Sequence, residues 1–479
     1  MTTLIPKYDQ GSTGAINRPF NIKLQESVSV MDFGAVGDGI ADDTAAIQSA
    51  LNSGAGSIYF PKGVYKITSA LSVTTKMTIY GSGRDTSTIV CTGCNGIVYA
   101  TGELWSNVYD LGIQQAVSYT TTPNSYIAFS VTDGTLKSEN YIYKNLYIVG
   151  FGTAFQIKQM WQTTFDTVYV LNCHVGIDTL GTLCVINYIT DCIFNLDGSA
   201  GSYGVIASDH IEGWHCTSTL FFNCYIGFYA ISSSSIYIAN CEFDFIQNKG
   251  IYGVATSADP RNQDWSITNN YFAAGGATTD SLIRFDTAYY HPANFGNRIV
   301  GNNFLIYASP ATCNFGIRFT GTYCQKNSVV GNTFATGFAT DAIYNGGTGY
   351  GPSVFVGNEV TGSSTAYGTS NVVDNNYVNF IGNPFATVTR GTNVTIPSGT
   401  PTYLFTSTSV SCYQITAFQS DNSANTASAI VVFQQGAGTS IFNLATTAGW
   451  ALSLSGANVQ LTQTSGTARA CNWSAVQLY

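Results

Sequence analysis

Asp191-Cys192-Ile193-Phe194, Asn223-Cys224-Tyr225-Ile226, Asn240-Cys241-Glu242-Phe243, Asn269-Asn270-Tyr271-Phe272, Gly301-Asn302-Asn303-Phe304 and Gly331-Asn332-Thr333-Phe334 read as copies of one short strand. Gly357-Asn358-Glu359-Val360 and Asp374-Asn375-Asn376-Tyr377 close the series. The spacing runs from roughly 17 to 32 residues, the range of solenoid repeats. Stacked parallel rungs lie about 4.8 Å apart, so like residues sit above like. Asparagine amides hydrogen-bond up such a column, and small Cys fills the same slot in the interior. The Cys run and the Asn run therefore read as two segments of one column.

A second strand precedes each copy. It reads Ala154-Phe-Gln-Ile, Gly176-Ile-Asp, Gly204-Val-Ile-Ala, Gly227-Phe-Tyr-Ala and Gly250-Ile-Tyr-Gly, then Leu282-Ile-Arg-Phe-Asp, Gly316-Ile-Arg-Phe-Thr and Ala342-Ile-Tyr-Asn. Apolar and polar residues alternate, which predicts one core face and one solvent face. A β-sandwich or propeller does not require a column of identical Asn. The fold class is accordingly all-β, a parallel β-helix or solenoid. After about residue 385 the Asn column stops and Thr/Ser/Val-rich strands take over, as in Ala429-Ile-Val-Val-Phe. This predicts a C-terminal β-sandwich over 386–479, a cap for the exposed solenoid end.

Composition agrees. Charged residues are 9% of the 479, against a usual value of about 25%. The net charge of −9 repels phosphate backbones, so nucleic acid is not an expected partner. No run of about 18 apolar residues occurs, so membrane insertion is not expected. Met1 to Lys7 holds no apolar core of a signal peptide. The 12 cysteines are scattered without framework spacing and read as mostly free, buried thiols. Cys91-x-x-Cys94 is the one close pair, and with His so rare neither a metal site nor a cofactor is expected.

Residues 1–27 lack periodicity and read as a connector. Next come Val28-Ser-Val-Met-Asp-Phe-Gly-Ala-Val-Gly-Asp-Gly and Ala41-Asp-Asp-Thr-Ala-Ala-Ile-Gln-Ser-Ala-Leu. The second segment predicts a capping helix near 42–52. Asp42 or Asp43 accepts from its first turn, and Ala46, Ile47, Ala50 and Leu51 form its apolar stripe.

Val28 to Leu51 with Phe60-Pro61-Lys62-Gly63-Val64-Tyr65 resembles the opening of pectate-lyase-like β-helices. Preceded by Lys23-Leu-Gln-Glu-Ser-Val-Ser-Val, it looks specifically like a bacteriophage tailspike or tail-fibre depolymerase. The resemblance implies a right-handed parallel β-helix over 28–385 whose N-terminal end this motif closes. Asp32, Asp38, Asp42 and Asp43 are then structural. It further implies a homotrimer on the virion tail, made in the host cytoplasm. The N-terminus would attach to a baseplate or tail protein, and O-antigen or capsular polysaccharide would be bound and cut. The lead-in is short for a particle-binding domain, which leaves truncation or docking through a short adaptor peptide. Residues 386–479 would serve trimerisation or glycan binding.

Glycoside hydrolysis usually needs two carboxyl groups. Cys241, Phe243 and Phe245 read as one apolar face, which puts Glu242 and Asp244 together on the solvent face, about 7 Å apart at the backbone. That roughly suits inversion, where about 6.5–9.5 Å leaves room for a water. The aligned rungs carry Tyr225, Tyr271, Asn303 and Thr333, so Glu242 is out of pattern; a solvated surface pair is the bland alternative. Asp209, Glu212 and Asp286 are the reserve carboxylates. Arg284, Arg318, Tyr252 and Tyr344 fall at one strand position and form a candidate sugar-binding wall, with Trp214, His215 and Tyr271 as further candidates. Turn aromatics and trimer contacts explain such residues equally well. His210 and His215 belong to types more often packed than catalytic, and Trp265 reads as core or interface.

Endo-glycosidic hydrolysis is the leading expectation. A polysaccharide lyase on an acidic polymer comes second, because it wants basic residues and these are few. A tail fibre that binds glycan without cutting it comes third, and an exported pectinase fourth.

Overall fold

The first residue of each repeated dipeptide turns a corner and the second faces inward. In the computed structural model, residues 6–345 are described apart from 101–105, 118–122, 132–137, 181–182, 209, 277–278, 290–295, 307–311, 322, 325–326 and 336–337; beyond 345 it describes strand segments and Asn358. Asp110, Asn145, Thr167, Asp191, Ser218, Asn240, Asn269, Gly301 and Gly331 occupy one corner on successive rungs, each with φ between 50° and 67°. L-residues avoid this left-handed region at a cost of roughly 1–2 kcal/mol, least for Gly, Asn and Asp. That steric filter is why seven of these nine positions carry Asn, Asp or Gly, with Thr167 and Ser218 the exceptions.

The next residue stacks inside. Asn302 Oδ1 accepts from the backbone N–H and the Nδ2 of Asn270, both at 2.9 Å, and Asn302 Nδ2 donates to Ile267 O at 3.0 Å. Asn332 repeats the pattern toward Asn302 and Ile299. Below them the Cys241 N–H donates to Asn270 Oδ1 at 2.8 Å, so the Asn and Cys runs do share a column. Two residues further along each strand, Phe194, Phe221, Phe243, Phe272, Phe304 and Phe334 stack at centroid separations of 4.6–5.3 Å, all buried. Full burial of each ring contributes about 2–3 kcal/mol.

Two readings of this region are corrected. Thr219, not Cys224, fills the column between Cys192 and Cys241, and Leu220, not Tyr225, lies beside Glu242. Asn223-Cys224 instead forms the following corner, two rungs above Asn172-Cys173 with Leu196 between them. Phe245 is not inward. It sits at that second corner with φ 54° and is 40% exposed, and Ile246 takes the core position.

Eleven parallel strands build one face of the solenoid: Leu71–Val73, Ile97–Tyr99, Ile127–Val131, Thr153–Ile157, Val175–Asp178, Tyr203–Ala207, Ile226–Ile231, Lys249–Val254, Thr279–Asp286, Cys313–Thr320 and Asp341–Asn345. The chain is thus a mostly β protein built as a parallel β-solenoid of about eleven turns.

The opening is closed by the helix Thr44–Leu51, which buries Ile47, Ala50 and Leu51. Asp42 Oδ1 accepts from the Thr44 N–H, the first of the helix, at 3.1 Å. Asp43 turns back and accepts from Val36 and Gly37 N–H at 2.6 and 3.1 Å, tying down the glycine loop. Asp32 accepts from Ser29 N–H, and Asp38 from Ile40 and Ala41 N–H. All four acids are occupied by backbone.

The chain forms two compact units. The first comprises 1–324, 331–347 and 359–368 and carries the rungs above. The second comprises 325–330, 348–358 and 369–479. It contains an antiparallel sheet ordered Thr389–Ile396, Arg469–Gln477, Ser411–Gln419, Asn422–Gln434 and Gly438–Thr446, and another ordered Thr402–Thr406, Asn458–Gln463 and Trp450–Ser455. The repeat at 374–377 lies outside the described residues.

Candidate active site

Parallel pairing puts Tyr252, Arg284, Arg318 and Tyr344 in register on four consecutive rungs. Tyr229 continues the stripe below, its ring stacked on Tyr252 at 5.1 Å, and Tyr203 stacks on Tyr229 at 5.7 Å. The cations are held by two acids. Asp280 accepts from Arg284 and Arg318, both at 2.9 Å, and lies 3.4 Å from Lys249 Nζ. Asp286 accepts from Arg284 Nε at 2.9 Å and from the Tyr252 hydroxyl at 2.7 Å, and also bonds Thr320 Oγ1. The Arg284 guanidinium lies 5.4 Å from the Tyr252 centroid and that of Arg318 lies 4.6 Å from Phe315. Arg318 Nε is buried without a hydrogen-bond partner.

The electrostatics follow from this packing. Burial pushes the Lys249 amine below its usual value, against the pull of Asp280. Burial, then the bond to Asp286, pushes the Tyr252 hydroxyl well up. Burial works to raise the Asp280 carboxyl, but Arg284, Lys249 and Arg318 outweigh it, and the group ends below its usual value. A carboxyl lowered on folding stabilises the protein above its unfolded-state value, and that contribution is lost as pH falls through the folded value. Unfolding followed by circular dichroism should show stability falling below about pH 4, with Asp280→Asn flattening that slope.

Glu242 and Asp244 lie on a different sheet, on the strand Glu242–Ile246. Glu242 is exposed between Leu220 and Tyr271, and Asp244 is half-buried beside Phe222. Partial burial pushes the Glu242 carboxyl up, and repulsion from Asp244 adds to it. The structure therefore gathers Asp286 with the Arg/Tyr wall and keeps Glu242, Asp244 and Tyr271 apart from it, on the strand before the corner.

The remaining candidates separate. Trp214 is wholly buried, so it is corrected from sugar contact to core residue; its ring meets Phe228 edge-on at 6.0 Å. Gly213, with φ 68°, breaks the alternation and sends Trp214 inward. His215 faces out, sandwiched between Tyr188 and Tyr237 at 5.2 and 4.7 Å, and burial lowers its imidazole. Glu212 is exposed beside Val185 and Ser234. Asp209 lies outside the described residues. His210 Nε2 lies 3.4 Å from Asp259, and Trp265 is buried with Nε1 bonded to Ser233. The ten described cysteines are free thiols, and among the described residues no cluster of three or more His, Cys, Asp or Glu is placed to hold a metal.

Lys249, Asp280, Tyr229 and Thr320 were missed by sequence reasoning. Asp280 shares the parity of Arg284 and Asp286, and extending the alternation two residues upstream of Leu282 finds it.

In comparison with known proteins, residues 27–103 match the model of a family described as rhamnogalacturonase A/epimerase, pectate lyase-like. The tail spike protein of Shigella phage Sf6 is 22% identical over 219 residues, 42% of this chain and 34% of that protein. Mannuronan C5-epimerase AlgE5 of Azotobacter vinelandii is 38% identical over 72 residues, 13% of this chain and 7% of the enzyme. The chain thus spans about a third or less of the length of these relatives. Among solved structures, the Dettilon tailspike protein (gp208) superposes with a TM-score of 0.49 at 14% identity, over 96% of this chain and 95% of that one. With a pectate-lyase-like opening matched in sequence and stacked parallel rungs above it, the chain is a β-solenoid similar to the tail spike proteins of bacteriophages.

Proposed function

We propose that this chain is a phage tail component that binds a bacterial surface polysaccharide, O-antigen or capsule, and cuts it by endo-glycosidic hydrolysis. The observation that carries the reading is Glu242, an acid set between Leu220 and Tyr271 with Asp244 two residues on. The raised Glu242 carboxyl suits a general acid, which must hold its proton until the leaving oxygen takes it. Asp244, as the carboxylate, takes the base role and activates water. The similarity to the Sf6 tail spike protein supports the virion setting. In the same reading the protein is a homotrimer, attached through its N-terminus to a baseplate or tail protein, and residues 386–479 serve trimerisation or glycan binding.

The test is reducing-end release from a panel of purified lipopolysaccharides and capsules, with absorbance near 235 nm read in parallel. New reducing ends without absorbance support hydrolysis. Binding with no new ends supports a non-cutting fibre.

One observation favours a lyase as second reading. Lys249, Arg284 and Arg318 gather around Asp280, with Asp286 as the second acid, so that three cations face two carboxylates. Such a cluster suits an acidic sugar, and the unsaturated product would absorb in the assay above.

A further inference from the structure

The corner after Asp244 carries an unexpected residue. On earlier rungs the aligned position holds Gly150, Asn172, Leu196 and Asn223; wherever this corner takes a positive φ it carries Gly or Asn, with φ of 77°, 50° and 52° at Gly150, Asn172 and Asn223. On the next rung it holds Phe245, with φ 54°. Positive φ suits Gly and Asn and is a steric outlier for a large ring. Such an outlier persists only where its surroundings hold it, and it points to a function.

The surroundings do hold it. Gln247 Nε2 donates to the Phe245 carbonyl at 3.1 Å and to Asn223 Oδ1 at 3.0 Å. Asn223 N–H donates to the Asp244 carbonyl at 3.1 Å. The Phe245 ring stacks on Phe222 at 5.9 Å with an interplanar angle of 21°. On the following rung Gly275 leaves room for that ring, since a Cβ there would come within 2.5 Å of it. The result is a fixed, 40% exposed aromatic surface next to Asp244.

We infer that Phe222 and Phe245 form an aromatic floor on which a neutral hexopyranose of the polysaccharide stacks through its C–H face. Aromatic faces recognise sugars in this way, and the ring's rigidity keeps the ordering cost low. The sugar is neutral because the Asp244 carboxylate, the base of the hydrolase reading, stands beside it and would repel a second carboxylate. The role in presenting a linkage to Glu242 and Asp244 rests on the hydrolase reading above; the stacking itself does not.

Phe245→Asn tests the floor, because Asn fits the corner better than Phe. Thermal melting should show the variant at least as stable as the parent. Affinity for the purified polysaccharide that the parent binds, measured by saturation-transfer NMR and by immobilised-glycan titration, should fall by about tenfold or more. Gly275→Ala, which displaces the ring without removing it, should weaken binding in the same direction. Equal affinity of parent and Phe245→Asn overturns the floor, whatever happens to cleavage. A polymer bound by the parent, weakened by Phe245→Asn and cut by neither keeps the floor and removes the hydrolase reading. A panel from which the parent binds nothing overturns both.

Discussion

Glu242→Gln and Asp244→Asn should each lower the rate of polymer cleavage by about 10²–10⁴-fold, the usual contribution of a general acid or base. Both changes keep side-chain size and replace the ionisable carboxyl with a neutral amide. Glu242 is exposed and Asp244 half-buried, so the melting temperature should hardly move. Glycan affinity should persist, because the Phe222–Phe245 surface is untouched. Cleavage by the parent should need Glu242 protonated and Asp244 ionised. The rate should therefore fall on the alkaline side as pH rises through the raised Glu242 value, and Glu242→Gln should abolish that limb. Release undiminished in both variants would remove this pair. It would shift the chemistry to the reserve acids Asp209, Glu212 and Asp286, or to the cation cluster around Asp280.

Asn302→Ala should be the most destabilising single change among the described residues of the Asn column, at about 3–5 kcal/mol in urea or thermal unfolding. Asn302 is wholly buried and serves both neighbouring rungs. Its loss strands the Asn270 backbone N–H, one Asn270 amide proton and the Ile267 carbonyl, and it opens a cavity between the rungs. Each buried unsatisfied group costs about 1–3 kcal/mol, less whatever a trapped water recovers. Asn302→Leu fills the space but restores no hydrogen bond, so it should be nearly as damaging. The adjacent Asn303 faces solvent, and Asn303→Ala should stay within about 0.5 kcal/mol of the parent. Similar losses at 302 and 303 would mean that the column is not what holds these rungs.

The candidate site was legible where consecutive strands repeat one local motif. Tyr252, Arg284, Arg318 and Tyr344 each follow an Ile in their strand, so counting from Ile251, Ile283, Ile317 and Ile343 aligns them. The reading failed at corners. Alternation carried through Phe245 puts it inward, but its positive φ ends the alternation there, and Trp214, a sugar-contact candidate by residue type, is turned into the core because Gly213 reverses parity in mid-strand. Neither residue type announces a left-handed conformation by itself.

Sequence alone determined the solenoid, its capping helix, the stacked Asn column and the alternation of the Arg/Tyr face. These depend on local sterics and on a repeat that returns the same residue to the same place. Only the tertiary structure decided which rung lies beside which. Turn lengths vary from rung to rung, so sequence spacing does not give register, and Leu220 rather than Tyr225 meets Glu242. It also decided that Asp280 binds two arginines from different rungs, and that the Arg/Tyr wall and the Glu242–Asp244 pair occupy different sheets. Ion pairing and face assignment are set by stacking across tens of residues, which no local pattern encodes.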